Sequence, residues 1–213
     1  YSANSEQFVI LFASAGIYGF VSALDSGRNT RFAASGVLLG MAFLFKQHGI
    51  AYVLFGVIYL LYYETTRERR EMSGAILRVG TFSCGVMLPV STTVAWILAT
   101  RRFAEFWRWT VDYASGYAST STVAQGFDVL ALRLPQVAGP MTAVWVLGGA
   151  GLIAAWDAPW RKRALFMMGF AILSCAAVSI GLYFRAHYFR LLFPALSILA
   201  ALGTLATGRV VSR

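Results

Sequence analysis

Charge is scarce in this chain. Only 13% of its 213 residues are Asp, Glu, Lys or Arg, where a soluble domain carries about 25%. Acidic residues are the rarer sign, nine against 18 basic ones. With 58% hydrophobic content, one soluble core cannot absorb the apolar residues and still leave a polar surface. Cysteine is nearly absent. Cys84 and Cys175 both fall inside apolar runs with no metal-ligand spacing around them, which excludes a disulfide framework and a thiolate metal site. The two histidines, His48 and His187, lack the nearby carboxylates that a zinc site needs, so no metal site is expected. No phosphate-loop sequence, zinc-peptidase motif or nucleophile elbow occurs. The net charge of +9 sits in short clusters between apolar runs rather than along a basic stripe. That pattern belongs to loops facing anionic lipid and argues against a nucleic-acid partner.

What the chain does have is apolar segments. Seven are expected: Glu6 to Leu24, Phe32 to Phe45, Gly49 to Tyr63, Ser73 to Thr100, Val137 to Trp156, Ala164 to Phe184 and Tyr188 to Ala206. The second and third are short against the roughly 20 residues of a perpendicular crossing. Pro89 interrupts the fourth and is expected to kink it. Gly36 and Gly40, with Gly148, Gly149 and Gly151, suit close helix contact. The fold class is therefore all-α, a polytopic transmembrane helical bundle of about seven membrane helices. Arg28 and Arg31, then Arg67, Arg69 and Arg70 with Arg78, then Arg161, Lys162 and Arg163, then Arg209 and Arg213 all fall on one side if each segment crosses once. The positive-inside rule makes that side cytoplasmic.

The opposite ends of the same helices carry a second set of polar residues. Asn4 and Glu6 open the first segment. Lys46, Gln47 and His48 form the turn between the second and third. Arg185, His187 and Arg190 stand at the junction of the last two. Charges at a membrane need each other, water or a ligand. Glu6 is the natural partner of Lys46, and the surplus is positive, which suits a phosphate or pyrophosphate headgroup on an arginine fork. The stretch 101–136 is expected as an external loop. Its opening, RRFAEFWRW, suggests an interfacial amphipathic helix in which Arg101, Arg102, Trp107 and Trp109 meet lipid headgroups or form a lid. The following Tyr113 to Gly126 is small, polar and turn-prone.

Several stretches carry a family resemblance: ANSEQF at Ala3 to Phe8, GVLLGMAFLFKQHG at Gly36 to Gly49, EFWRWTVDYASGY at Glu105 to Tyr117 and AHYFRLLFPALSILAALG at Ala186 to Gly203. They resemble the polyprenyl-phosphate-sugar-dependent membrane glycosyltransferases, the superfamily of protein mannosyltransferases and lipid A aminoarabinose transferases. The resemblance implies a C-type glycosyltransferase-like membrane fold. It also implies an enzyme in the bacterial inner membrane with its site facing the periplasm or exterior. Its partners would be a polyprenyl-phosphate-linked sugar, membrane lipids and a protein, glycan or lipid acceptor. Lys46, Arg185 and Arg190 would hold the carrier phosphate with His187 orienting it. Glu6, Asn4 and His48 would orient Lys46 or bind sugar hydroxyls. The family's catalytic acidic residue, in the loop after the first membrane helix, has no counterpart here, so residues 1–213 are expected to be part of a longer transmembrane domain and the catalytic group is unknown. No cofactor is assigned. A divalent ion is compatible with the class, although Glu105, Asp112 and Asp128 offer no ligand spacing. The alternatives are a transporter or lipid flippase segment, with charges nearer midmembrane and a path to both faces, and a purely structural membrane subunit.

Overall fold

The computed structural model describes residues 4–67, 72–118 and 121–211. Among them every regular element is helical, as the long apolar runs require: a backbone in lipid must satisfy its own hydrogen bonds. The first helix, α1 (Ser5–Ser26), ends where Gly27 takes a left-handed φ of +66° and its N–H reaches the Ala23 carbonyl at 2.8 Å, a geometry that suits glycine. Then come α2 (Asn29–Phe45), a tight turn at Gln47–Gly49, α3 (Ile50–Thr66) and α4 (Met72–Ala99). Past α4 lie two short helices, α5 (Phe103–Trp107) and α6 (Tyr113–Ala118), joined by a π-helical turn, Arg108–Asp112. The second half holds α7 (Val123–Ala138), α8 (Thr142–Ala154), α9 (Ala164–Ser179) and α10 (Phe193–Val211).

Among the described residues, six helical stretches are long and apolar enough to cross a membrane. The shorter α2, 17 residues, is apolar as well. The chain is thus a multi-pass helical membrane bundle, and the expected seven segments correspond to these six plus α2. Two details bear on the sequence reading. First, α4 is helical on both sides of Pro89, so the proline does not end it. Second, the helical stretch that contains the fifth apolar segment begins at Val123, within the part expected as a loop. The turn-prone stretch before it is largely helical on both sides of positions 119–120, which lie outside the described residues. The cause is a capping box. The Thr122 hydroxyl accepts from the Gln125 N–H at 3.3 Å, and the Gln125 side chain accepts from the Thr122 N–H at 2.9 Å. Two otherwise orphaned donors are thereby satisfied.

Helices associate through small residues, as they do where lipid removes the hydrophobic drive between them. At the α2–α4 crossing, a Cβ on Gly36 would collide with the Phe82 carbonyl, and one on Gly85 with the Ala33 carbonyl. The α8–α10 crossing is built the same way from Gly151 and Gly203. Gly149, by contrast, faces open space, so its expected packing role is not realised. Between α1 and α2, the buried Ser35 hydroxyl donates to the Gly16 carbonyl at 2.8 Å. A centre of Phe20, Phe32, Phe82, Phe55, Phe166 and Phe170 fills the space among α1 to α4 and α9 in edge-on and tilted contacts.

This packing fixes two chemically different ends. At one, Glu6 of α1 meets Lys46 after α2 and His187 before α10. At the other, Asp25 of α1 pairs with Arg163 at 2.6 Å, and Glu64 of α3 takes a two-pronged contact from Arg78 of α4 at 2.6 and 2.7 Å. Arg209 lies over the Trp160 ring at this same basic end. The 22 residues of α1 separate the two ends by about 33 Å.

Candidate functional site

Three pieces of chain converge on Glu6. It stands in the first turn of α1, where a carboxylate is favoured by the exposed N–H groups of the helix start. The side chain is 2% exposed, so a charge there requires compensation. Lys46 provides it. At the end of α2 the backbone swings to an extended conformation, which turns the lysine back to donate to Glu6 Oε1. The third piece is the 3-10 segment Ala186–Leu192, from which His187 Nε2 comes within 3.7 Å of the same oxygen. Tyr188 completes the arrangement. Lys46 Nζ lies 4.2 Å above its ring centroid, within cation–π range, and the His48 ring packs on it at 5.0 Å. The Tyr52 hydroxyl, from one turn into α3, donates to the Leu191 carbonyl and ties the 3-10 segment down.

Buried nitrogen atoms of two side chains here have no hydrogen-bond partner among the described residues. Neither ring nitrogen of His48 has one, in a side chain only 7% exposed, and Arg190 Nη1 has none either. The Ile180 backbone is close enough to act on His48 but does not offer hydrogen-bond geometry. Arg185 and Arg190 are both within electrostatic reach of His187. Glu6 is the single carboxylate that the ion pairs of this end use, and it is engaged by Lys46, so the cluster keeps a positive surplus. No group of three His, Cys, Asp or Glu side chains converges among the described residues.

Of the residues expected to share a site, Glu6, Lys46, His48, His187 and Arg190 are brought together with Arg185 at the rim. Asn4 precedes α1 as its N-cap residue without a side-chain capping bond. Arg101, Arg102, Trp107 and Trp109 are not part of the cluster: none makes a hydrogen bond, ion pair or ring contact with it among the described residues. They are exposed, with Trp107 against Phe103 and Trp109 against Tyr113. Their segment is nevertheless anchored beside it, because Gln47 Nε2 donates to the Thr110 carbonyl at 2.8 Å. Sequence reading missed Tyr188 as the platform under Lys46. Its signal was an aromatic residue set among Arg185, His187 and Arg190.

The backbone leading into the 3-10 segment is strained. Leu182 and Phe184 hold φ of +57° and +40°, and Gly181 +77°, conformations that side chains with a Cβ rarely adopt. Such strain persists only where surroundings over-determine it. Here Leu182 is wedged against Gly126 of α7, where an added Cβ would lie 2.9 Å from the leucine Cβ.

A polytopic helical membrane protein with a cationic, aromatic-floored cluster confined to one end is the class that these features define. Residues 1–109, half of the chain, match the model of the dolichyl-phosphate-mannose-protein mannosyltransferase family, and the chain belongs to that family. Its members are glycosyltransferases that take sugar from a polyprenyl-phosphate carrier. No curated protein and no solved structure matches the chain. Glu6, Lys46 and His48 fall inside the matched stretch. Arg185, His187 and Arg190 fall beyond it and join the cluster through the fold.

Proposed function

We propose that the cluster around Glu6, Lys46 and Arg190 binds the phosphate of a polyprenyl-phosphate sugar, and that the protein transfers a hexose or pentose from it to a hydroxyl of a protein, glycan or lipid acceptor. The observation that carries this reading is Arg190, whose Nη1 is buried without a hydrogen-bond partner among the described residues, beside a positive surplus. Buried donors of that kind are rarely left unmatched unless a ligand completes them. The acceptor oxygen attacks the anomeric carbon, the bond from that carbon to the phosphate oxygen breaks, and the carrier phosphate leaves with the electron pair. Arg190 and Arg185 face the charge that develops on the leaving oxygens, where fixed donors are most effective. The planar fork of arginine suits two phosphate oxygens at once. Lys46 adds charge from above Tyr188, Glu6 holds that lysine in place, and His187 and His48 orient the phosphate. The group that removes the acceptor proton is not assigned.

The site faces away from the cytoplasm in this proposal, because Arg28, Arg31, Arg67 and the Arg161–Arg163 turn lie at the other end of the bundle and basic loops stay inside. In a bacterium, this reading puts the protein in the inner membrane, with its chemistry on the periplasmic side as part of the proposal. A transporter would need its charges near midmembrane, whereas these sit at one helix end.

The test is sugar transfer or hydrolysis from labelled polyprenyl-phosphate sugars by the full-length protein in liposomes. Arg190→Ala is expected to lower kcat by roughly 10²-fold or more, the scale for losing one charge-stabilising donor. Lys46→Ala and Arg185→Ala are expected to reduce it as well, with Arg161→Gln at the opposite end unchanged. Equal activity in all four folded variants would refute the assignment.

A further inference from the structure

A second cleft lies at the basic end of the bundle, far from the Glu6 cluster. It encloses about 370 Å³ among the ends of α1 and α3, the turn Arg161–Arg163 and the start of α9. Its polar rim holds three cations, Arg67, Lys162 and Arg163, against one carboxylate, Asp25. Asp25 is already paired with Arg163 at 2.6 Å. Among the described residues, that leaves Arg67 and Lys162 without an ion pair. Arg67 is held in place by its guanidinium lying over the Tyr63 ring at 5.4 Å. The hydroxyl of that tyrosine donates to the Leu24 carbonyl at 3.4 Å, so the α1–α3 wall is tied together. The inner wall is apolar, from Val21, Leu24 and Phe166. Tyr62, also in the lining, is half-exposed on the outer surface of α3.

We infer that this cleft binds the phosphate headgroup of an anionic membrane phospholipid. The warrant is its two-part chemistry. Basic pockets between helices at the cytoplasmic end of a membrane protein select anionic headgroups. The apolar inner wall gives the root of an acyl chain a place that a soluble anion does not use. The cleft is also far larger than a lone phosphate, and it lies at a helix end, at headgroup depth. Arg67 and Lys162 come from different stretches of chain and converge only because α3 packs on α9. A bound lipid would therefore bridge the two halves of the bundle.

The test uses the full-length protein in a non-ionic detergent, titrated with phosphatidylglycerol, phosphatidylcholine or inorganic phosphate and read by native mass spectrometry. Saturable binding of a single phosphatidylglycerol is expected, with phosphatidylcholine much weaker. Lys162→Gln and Arg67→Gln are each expected to weaken it roughly fivefold, the scale of one cation at an anionic membrane surface. Lys162 is exposed and makes no ion pair among the described residues, so folding is not at stake in that variant. Arg161→Gln, in the same turn but outside the cleft, is expected to have no effect. Equal weakening by Arg161→Gln would show diffuse attraction and overturn the proposal. So would equal binding of phosphatidylcholine. Displacement of phosphatidylglycerol by millimolar inorganic phosphate would assign the cleft to a soluble anion and overturn the lipid source.

Discussion

The Glu6–Lys46 contact is the residue-scale feature on which the candidate site depends. Two charges have been drawn out of water, and removing one strands the other. Glu6→Ala is expected to destabilise the protein by about 3 kcal/mol, measured by unfolding in detergent. The double replacement Glu6→Gln with Lys46→Met is expected to recover most of that loss, because no unpaired charge remains. A double variant as unstable as Glu6→Ala would show that the carboxylate is needed for some other contact. The same logic at the far end explains Glu64 and Arg78, a buried two-pronged pair that the sequence did not announce. Glu64 sits amid tyrosines at the edge of an apolar run, and only the approach of α4 gives it a partner. Glu6 and Lys46 were legible as a pair because each opened or closed an apolar run on the same predicted side. Tyr188 was not, since an aromatic residue at a membrane boundary ordinarily reads as an interfacial anchor.

Elements carry the next layer of the argument. The helix α7 braces the site: at Gly126 it supports Leu182 in the strained run Gly181–Phe184, and this run delivers Arg185, His187 and Arg190. Gly126→Ala places a methyl group where the leucine Cβ allows 2.9 Å, and the constrained backbone there has little freedom to yield. Transfer activity is therefore expected to fall by tenfold or more, since misplacing a positioned group by about 1 Å can cost on the order of 10²-fold. Overall stability is expected to fall only modestly. Unchanged activity would mean that the 3-10 segment is held without α7. The start of this helix was readable, because Thr122 and Gln125 form the spacing of a capping box, but the run of Ser, Thr and Gly before it outweighed that signal. The α2–α4 and α8–α10 crossings were foreshadowed by their glycines. Which glycine meets which helix was not, because a small-residue pattern marks a face without naming its partner.

On the scale of the whole molecule, the alternation of apolar runs and basic turns already separated two ends, and the packing keeps them apart. The asymmetry lends itself to a sidedness experiment. With Cys84 and Cys175 replaced, Trp109→Cys near the Gln47–Thr110 contact is expected to react with an impermeant thiol reagent in intact cells. Arg161→Cys is expected to react only after permeabilisation. Reaction of both from the same side would contradict the opposed ends and the outward-facing site. The convergence of residues from opposite halves of the chain, Glu6 and Lys46 with His187 and Arg190, was the part that sequence order concealed most. Their proximity is a product of α1 packing beside the segment that begins α10.

The most direct experiment is equilibrium binding of polyprenyl monophosphate, without sugar, to the full-length protein and to its Arg190→Ala variant. If the Arg190 guanidinium holds the carrier phosphate, the variant binds at least tenfold more weakly, consistent with the roughly 1.5–3 kcal/mol of a hydrogen bond to a charged group. An Arg190→Ala protein that folds normally and binds the carrier as tightly as the parent would contradict the assignment.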